Sequence, residues 1–441
     1  MTITPTPTET PTATVTVSVT VTETITATPT TTTTVTVTPT VTVTPTATVT
    51  LTPTPLAVGP MMPFAPTGPI HSDNGATYAA ASDACAKCHR GTHDSSIVRL
   101  TYAKAAPFTQ EQVCYTCHDG TGAPDVRTAF GGTSAHPIGL EDGRHHPGEN
   151  SGGQFAGGSR HVECADCHEP HYAGRGSHTP GSSAAGAALQ SVFGVDVTNG
   201  AGGTVPGYTT VPSLTNEYQL CFKCHSSWAY GSSPPLSHSG GIAETNQAQE
   251  FNVNNGSYHW VEGDKTASSG VTPRTNDGRG MSFIGGWTSI SRMTCTDCHA
   301  SDQSGDAAGT HGSSTPYLLR GSWSTSSWGL CLQCHDPAVY GSTATNGSSS
   351  ASGFSSSSRN LHQLGDHRGR GCQSCHSAVP HGGNGTYTFA NGTFTIRALL
   401  APNVVNGTSV SDPPYNGSSR LGITNWRGSG QWSFGDCTGC H

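Results

Sequence analysis

Sixteen cysteines fall without remainder into eight copies of one pentad, C-x-x-C-H, in a chain of 441 residues. The copies are CAKCH from Cys85, CYTCH from Cys114, CADCH from Cys164, CFKCH from Cys221, CTDCH from Cys295, CLQCH from Cys331, CQSCH from Cys372 and CTGCH from Cys437. The pentad is the attachment sequence of c-type haem. Its two thiols add across the porphyrin vinyl groups, and the adjacent histidine is held against the iron. The two-residue gap lets one short turn present both sulfurs to one porphyrin edge. A lone C-x-x-C would equally suit a redox dithiol, half a zinc site or a disulfide framework. None of these needs a histidine after the second cysteine in every copy, nor leaves no cysteine over. Eight covalent haems are therefore expected. They are held by Cys85, Cys88, Cys114, Cys117, Cys164, Cys167, Cys221, Cys224, Cys295, Cys298, Cys331, Cys334, Cys372, Cys375, Cys437 and Cys440, with proximal ligands His89, His118, His168, His225, His299, His335, His376 and His441.

Composition explains why such a chain needs haem. Charged residues make up 11%, against roughly a quarter in typical soluble domains, and Leu, Ile and Phe are sparse. Such a chain cannot bury enough apolar side chain to offset its backbone entropy unaided. The expected fold is mostly irregular loop, with short helical turns at the motifs, a few β-hairpins, low secondary-structure content and a haem-packed core. A hairpin is expected in the haem-free stretch 384–434, where TYTFANGTFTI sets Asn-Gly between alternating runs.

Two regions differ in kind. Residues 1–56 alternate Thr, Pro and Val, as in TVTVTPTVTVTPTATVTLTPTP. Such tracts read as extended, O-glycosylated tails, with an edge strand as the alternative, because V-T alternation has period two while frequent proline opposes a central strand. Residues 57–441 form the octahaem domain, divided into four two-haem units at roughly 71–118, 136–225, 259–335 and 362–441. In each unit a histidine stands upstream: His71, His136, His259 and His362. The first motif is followed within about a dozen residues by another: His93, His171, His311 and His381. The second motif has no such follower. These eight are the candidate distal ligands, with His161 and His367 as substitutes. The chain has 22 histidines, enough for two per iron. Methionine, which would raise the potential, is present only five times, and Met1, Met61 and Met62 lie outside the motifs.

The units CADCHEPH…YQLCFKCH and CTDCH…GTHGSSTPYLLRG…GLCLQCH resemble the doubled C-x-x-C-H motif of multihaem c-type cytochromes. The SAHPIG and RNLH elements resemble that family's distal-ligand segments. The closing RLGITNWRGSGQWSFGDCTGCH resembles the C-terminus of extracellular cytochromes that polymerise into conductive filaments. The resemblance covers residues 71–441 and implies an electron-transfer protein rather than an enzyme. It further implies a row of bis-histidine haems, a head-to-tail homopolymer, and long-range electron transfer to other redox proteins and external acceptors. The Thr/Pro tail departs from that group.

The competing reading is an octahaem oxidoreductase of the nitrite, hydroxylamine or tetrathionate type, which needs one open iron. Some such enzymes use C-x-x-C-K. Here every motif ends in histidine, and the lysines are Lys87, Lys104, Lys223 and Lys265. Storage or adhesion through the tail is a third possibility. No Ser-His-Asp, phosphate-loop or paired-carboxylate constellation stands out, so no catalytic residue is assigned. Haem c is attached after export, which predicts a cell-surface or extracellular protein. No run approaches the roughly 18 apolar residues of a membrane span, and no secretory leader is visible, so a mature form or a fragment is expected. The formal charge of −8 opposes nucleic-acid binding.

Weaker signals remain. Six N-G-[ST] sequons, at Asn255, Asn346, Asn384, Asn391, Asn406 and Asn416, read first as turns and second as glycosylation sites. Asp302 and Asp306 suggest a calcium loop without its full ligand spacing. Trp426 and Trp432 are expected against a porphyrin face. The stoichiometry is directly testable. A pyridine haemochrome assay with intact mass should find eight thioether-bound haems, no free thiol and no disulfide, and seven or fewer in matured protein would refute it.

Overall fold

The computed structural model describes residues 111–120, 123–138, 162–170, 172–174, 179–232, 246–263, 282–288, 290–303, 307, 309–322, 329–342, 344–368, 371–376, 380–383, 385–396, 399–400, 422–428 and 431–438. They lie in the second of the two units into which the chain divides, Pro55–His441. Outside them lie the Thr/Pro tail, the Cys85 motif with Cys88 and His89, and His71, His93, His161, His171, Cys440 and His441, together with Asn384, Asn406, Asn416 and Asp306.

Secondary structure is scant, as the composition predicts. Helices are single turns of three to five residues, and every sheet among the described residues has two strands. No described helix is long and apolar enough to cross a membrane. Six described pentads each fold into one turn, closed by the proximal histidine's N–H donating to the first cysteine's carbonyl. These bonds run from His118 to Cys114 and His168 to Cys164 (2.9 Å each), His225 to Cys221 (2.9 Å), His299 to Cys295 (2.8 Å), His335 to Cys331 (3.0 Å) and His376 to Cys372 (2.8 Å). Two of these turns carry their own cap. Asp166 in CADCH accepts from the Glu163 N–H, and Asp297 in CTDCH accepts from the Thr294 N–H, both at 2.8 Å. Each forms a capping box that satisfies donors a turn would leave open.

The hairpin expected around residue 390 forms, but one residue early. Strands β7 (Thr386–Phe389) and β8 (Gly392–Thr395) pair with Phe389 opposite Gly392, so Ala390 and Asn391 make the turn. The Asn391 side chain is committed elsewhere. It donates to the Trp426 carbonyl (2.7 Å) and accepts from the Trp426 N–H (2.9 Å). Phe389, Ile396 and Leu400 form a small apolar cluster beneath this hairpin, with Tyr387, Phe394, Ile423 and Trp426 around it. A second hairpin, β2 (Gly194–Thr198) with β3 (Gly207–Val211), closes through a longer loop that holds Asn199-Gly200 and Gly202-Gly203. It packs near Tyr218, Phe222, Ala248, Phe251 and Val261.

The arrangement that positions the histidines occurs twice. Strand β1 (Ser134–Ala135), just before His136, pairs antiparallel with β5 (Gly312–Ser313), just after His311. Strand β4 (Ser257–Tyr258), just before His259, pairs in the same way with β6 (Gly382–Gly383), just after His381. An upstream histidine of one unit is thus pinned beside the follower histidine of the next. Both followers precede glycine for a steric reason. A Cβ at Gly312 would overlap the Ala129 carbonyl, and one at Gly382 would overlap the Glu250 carbonyl. Gly312→Ala should therefore cost about 1–3 kcal/mol, the usual range for overpacking, read as a lowered denaturation midpoint. A surface substitution such as Ser350→Ala should leave the midpoint unchanged.

Candidate haem sites

The imidazoles are built as ligands from the outside in. A histidine that coordinates through Nε2 keeps its proton on Nδ1 and gives it to an acceptor that fixes the ring. Here Nδ1 donates to the Thr310 carbonyl from His136 (2.6 Å), to Ala188 from His168 (3.0 Å) and to Tyr317 from His299 (2.8 Å). It donates to Leu399 from His376 (3.1 Å), to Leu361 from His367 (3.1 Å) and to Pro380 from His259. His381 gives its Nδ1 proton to the Glu250 carboxylate at 2.8 Å. The acceptors for His136 and His259 are equivalent: each is the carbonyl just before the follower histidine. The chain bends to reach one acceptor, since Tyr317 and Leu318 take left-handed φ of 63° and 58° beside the Tyr317 carbonyl.

Burial favours the neutral, metal-binding form of six imidazoles. Burial, then the proximity of His381, pushes the His299 pKa down to about 4. Burial followed by His168 does the same to His311, and burial followed by His259 does so to His335, each to about 4. Burial, then His376, takes His362 to about 3. His259 and His376 are also lowered, burial being the main cause.

The rings come in facing pairs. Centroids lie 6.1 Å apart for His168 and His311, 6.2 Å for His225 and His136, and 6.0 Å for His299 and His381. Two imidazoles on opposite sides of one metal ion, each with a metal–nitrogen bond of about 2 Å, place their centroids roughly 6 Å apart. Each pair joins one proximal histidine to one candidate from the upstream or follower set, so the residues present fit haem. The follower ring lies beside the first proximal histidine of the preceding unit, whereas the upstream His136 lies beside the second proximal histidine of its own unit. Nothing in the linear spacing reveals that crossing.

The attachment turns lie against one another in chain order. The Cys114 and Cys164 sulfurs lie side by side, as do those of Cys221 with Cys295 and Cys331 with Cys372. Between those joints, Cys224 lies within electrostatic reach of Cys167, and Cys298 of Cys334. First cysteines neighbour first cysteines and second neighbour second, alternately, from Cys114 to Cys372. Protein bonds brace the joints. Lys223 donates to the Asp166 carbonyl (2.5 Å), and the Thr296 N–H and hydroxyl both donate to the buried Glu217 carboxylate (2.8 Å each).

The weaker signals find their places in the fold. Trp426 stacks on Phe389 at 5.8 Å and meets Trp432 edge-on at 5.2 Å, so each has an aromatic side-chain partner. Asp302 accepts from the Ser314 N–H (2.9 Å), the Ser314 hydroxyl and the Thr315 hydroxyl (3.2 Å), which makes it a loop brace. The Asn255 amide is buried, accepts from the Gly203 N–H (2.7 Å) and donates to the Gln249 and Glu250 carbonyls, so it serves the fold. Asn346 caps a turn by accepting from the Ser348 N–H at 3.1 Å. Glu250 and the carbonyls that orient the rings carried no motif and could be found only in three dimensions.

Residues 207–383 match the family model described as outer membrane cytochrome MtrC/MtrF-like, domains II/IV. The matched span contains the four motifs from Cys221 to His376. The match supports an extracellular multihaem cytochrome. It carries with it covalently bound c-type haem, an electron-transfer role and a location at the cell surface or outside the cell. No curated protein and no solved structure matches the chain.

Proposed function

We propose that this chain is an octahaem c-type cytochrome that conducts electrons along one continuous row, with two histidines on every iron. The observation that supports it best is the succession of attachment turns from Cys114 to Cys372, with sulfurs side by side at Cys114–Cys164, Cys221–Cys295 and Cys331–Cys372 and within electrostatic reach at Cys167–Cys224 and Cys298–Cys334. Bound haem supplies a reversible one-electron couple at each step. The chain's own contribution is spacing and ligation. Electron tunnelling falls off steeply with gap, so turns in contact keep neighbouring redox centres close. Paired imidazoles leave no exchangeable position, so little rearranges when the oxidation state changes. The axial pairs supported by geometry are His168 with His311, His225 with His136 and His299 with His381. His259 lies within electrostatic reach of His335, which makes it the candidate for that haem.

The oxidoreductase reading needs an iron with an empty face. Each of His168, His225 and His299 has a second imidazole at ligand spacing, which weighs against it there. Residues 1–56 serve in this reading as a glycosylated extended tail to the domain at 57–441. Head-to-tail assembly into an extracellular filament would extend the row from chain to chain, toward other redox proteins and external acceptors. The resemblance of residues 420–441 to filament-forming cytochromes supports that extension.

Two measurements test the proposal. Wild-type protein should be wholly low-spin and slow to bind carbon monoxide, whereas His311→Ala and His381→Ala should each create one high-spin, carbon-monoxide-binding haem. A stoichiometric high-spin signal in the wild type would transfer the argument to the oxidoreductase. Electron microscopy of native material should show filaments, and a protein that stays monomeric at high concentration would remove the polymer.

A further inference from the structure

Three short helices follow the second motifs of successive units: α1 (Val126–Phe130), α2 (Gln247–Glu250) and α3 (Pro337–Tyr340). Each delivers an aromatic ring at its end. Phe130 meets His311 at 5.4 Å, Phe251 meets His381 at 4.8 Å, and Tyr340 meets His362 at 5.1 Å. The carbonyl just before each aromatic is covered in a matching way. Gly312 closes on that of Ala129 and Gly382 on that of Glu250, while the Asn360 amide donates to that of Val339 at 2.9 Å. By both criteria His362 stands after α3 where His311 stands after α1 and His381 after α2. The first two face the proximal histidine of the next motif along the chain, His168 and His299. The next motif after α3 is that of Cys372, and its His376 lies within electrostatic reach of His362.

We propose that His362 is the distal ligand of the haem attached at Cys372 and Cys375, opposite His376. This rests on the bis-histidine reading and departs from the rule of the earlier units. There the first haem is closed by a follower histidine from the next unit; here an upstream histidine of the same unit folds into that place. The Asn360 side chain performs the positioning. It donates to the Val339 and Asn346 carbonyls, and its Oδ1 accepts from the His362 N–H (3.1 Å) and lies 3.2 Å from His362 Nδ1. His362 then cannot serve its own unit's second haem as His136 serves that of His225. That role passes to His367. Its Nδ1 is anchored on Leu361, its ring meets Phe354 at 5.1 Å, and Phe354 meets Trp432 at 5.5 Å, close in sequence to Cys437.

His362→Met in the full-length holoprotein is the test, because a His/Met pair stays low-spin while raising one haem's potential. The variant is read in two backgrounds, Cys437→Ala/Cys440→Ala and Cys372→Ala/Cys375→Ala, each confirmed as a seven-haem protein. The sulfur-to-iron charge-transfer band and the single raised potential should persist in the first background and vanish in the second. The reverse pattern, or no His/Met signature in either, overturns the assignment. Should either background fail to mature, a density map of wild-type protein decides. His362 and His376 on opposite faces of one porphyrin sustain the proposal, and any other partner for His376 ends it. A high-spin iron in the wild type would instead strike the bis-histidine reading itself.

Discussion

The contact on which the rest depends is a pairing of two residues with two. β1 with β5, and β4 with β6, each fasten the chain before one histidine to the chain after another. Through that short ladder one histidine's Nδ1 reaches the carbonyl preceding its neighbour, at Thr310 and at Pro380. Two imidazoles that the proposed scheme assigns to different irons are thereby oriented by one piece of backbone. The glycine after each follower lets this backbone lie directly on a helix end, where any side chain would collide. A handful of hydrogen bonds could not hold such an arrangement against chain entropy alone. In the proposed scheme, covalent attachment and metal–nitrogen bonds close it from the other side.

That division of labour accounts for the composition. The apolar clusters are small, one around Phe222 and Phe251 and one around Phe389. Many buried positions are polar and locally satisfied instead, such as Glu217 on Thr296, Asn255 across Gly203 and Gln249, and Asn360 across Val339 and Asn346. A polar interior is tolerated where each group finds its partners. In this chain those partners are mostly backbone carbonyls of irregular segments, so the loops and the buried polar side chains stabilise one another. Haem then supplies the apolar bulk that the side chains lack.

The sequence made some of this legible and hid the rest for identifiable reasons. Each described pentad forms one turn because its chemistry is local: a cysteine carbonyl, a histidine N–H and, in CADCH and CTDCH, an aspartate cap. The low secondary-structure content followed from composition. The β7–β8 hairpin was visible as alternation, yet its turn moved because Asn391 is held by Trp426, far away in sequence. His136 and His311 could be proposed as ligands from their context. Their partners could not, because the pairing crosses from one unit to the next through β1 and β5, and two-residue strands leave no periodicity to detect. His367 read as a substitute, and nothing in the sequence marks its anchoring on Leu361 or its contact with Phe354.

Crossed ligation has a mechanical consequence for a conductor. Stacked-repeat proteins draw stability from each repeat and from the interface with its neighbours. In the proposed scheme that interface contains a ligand: His311 and His381 each belong to one unit and close a haem of the unit before. A unit that loosened would strip an iron ligand from its neighbour, so the joint and the coordination sphere hold or fail together. The spacing between redox centres is then fixed by the same bonds that keep each iron six-coordinate. An electron row needs both properties at every joint. Sharing a histidine across each boundary provides both with one side chain, in a chain that has little apolar surface with which to provide them separately.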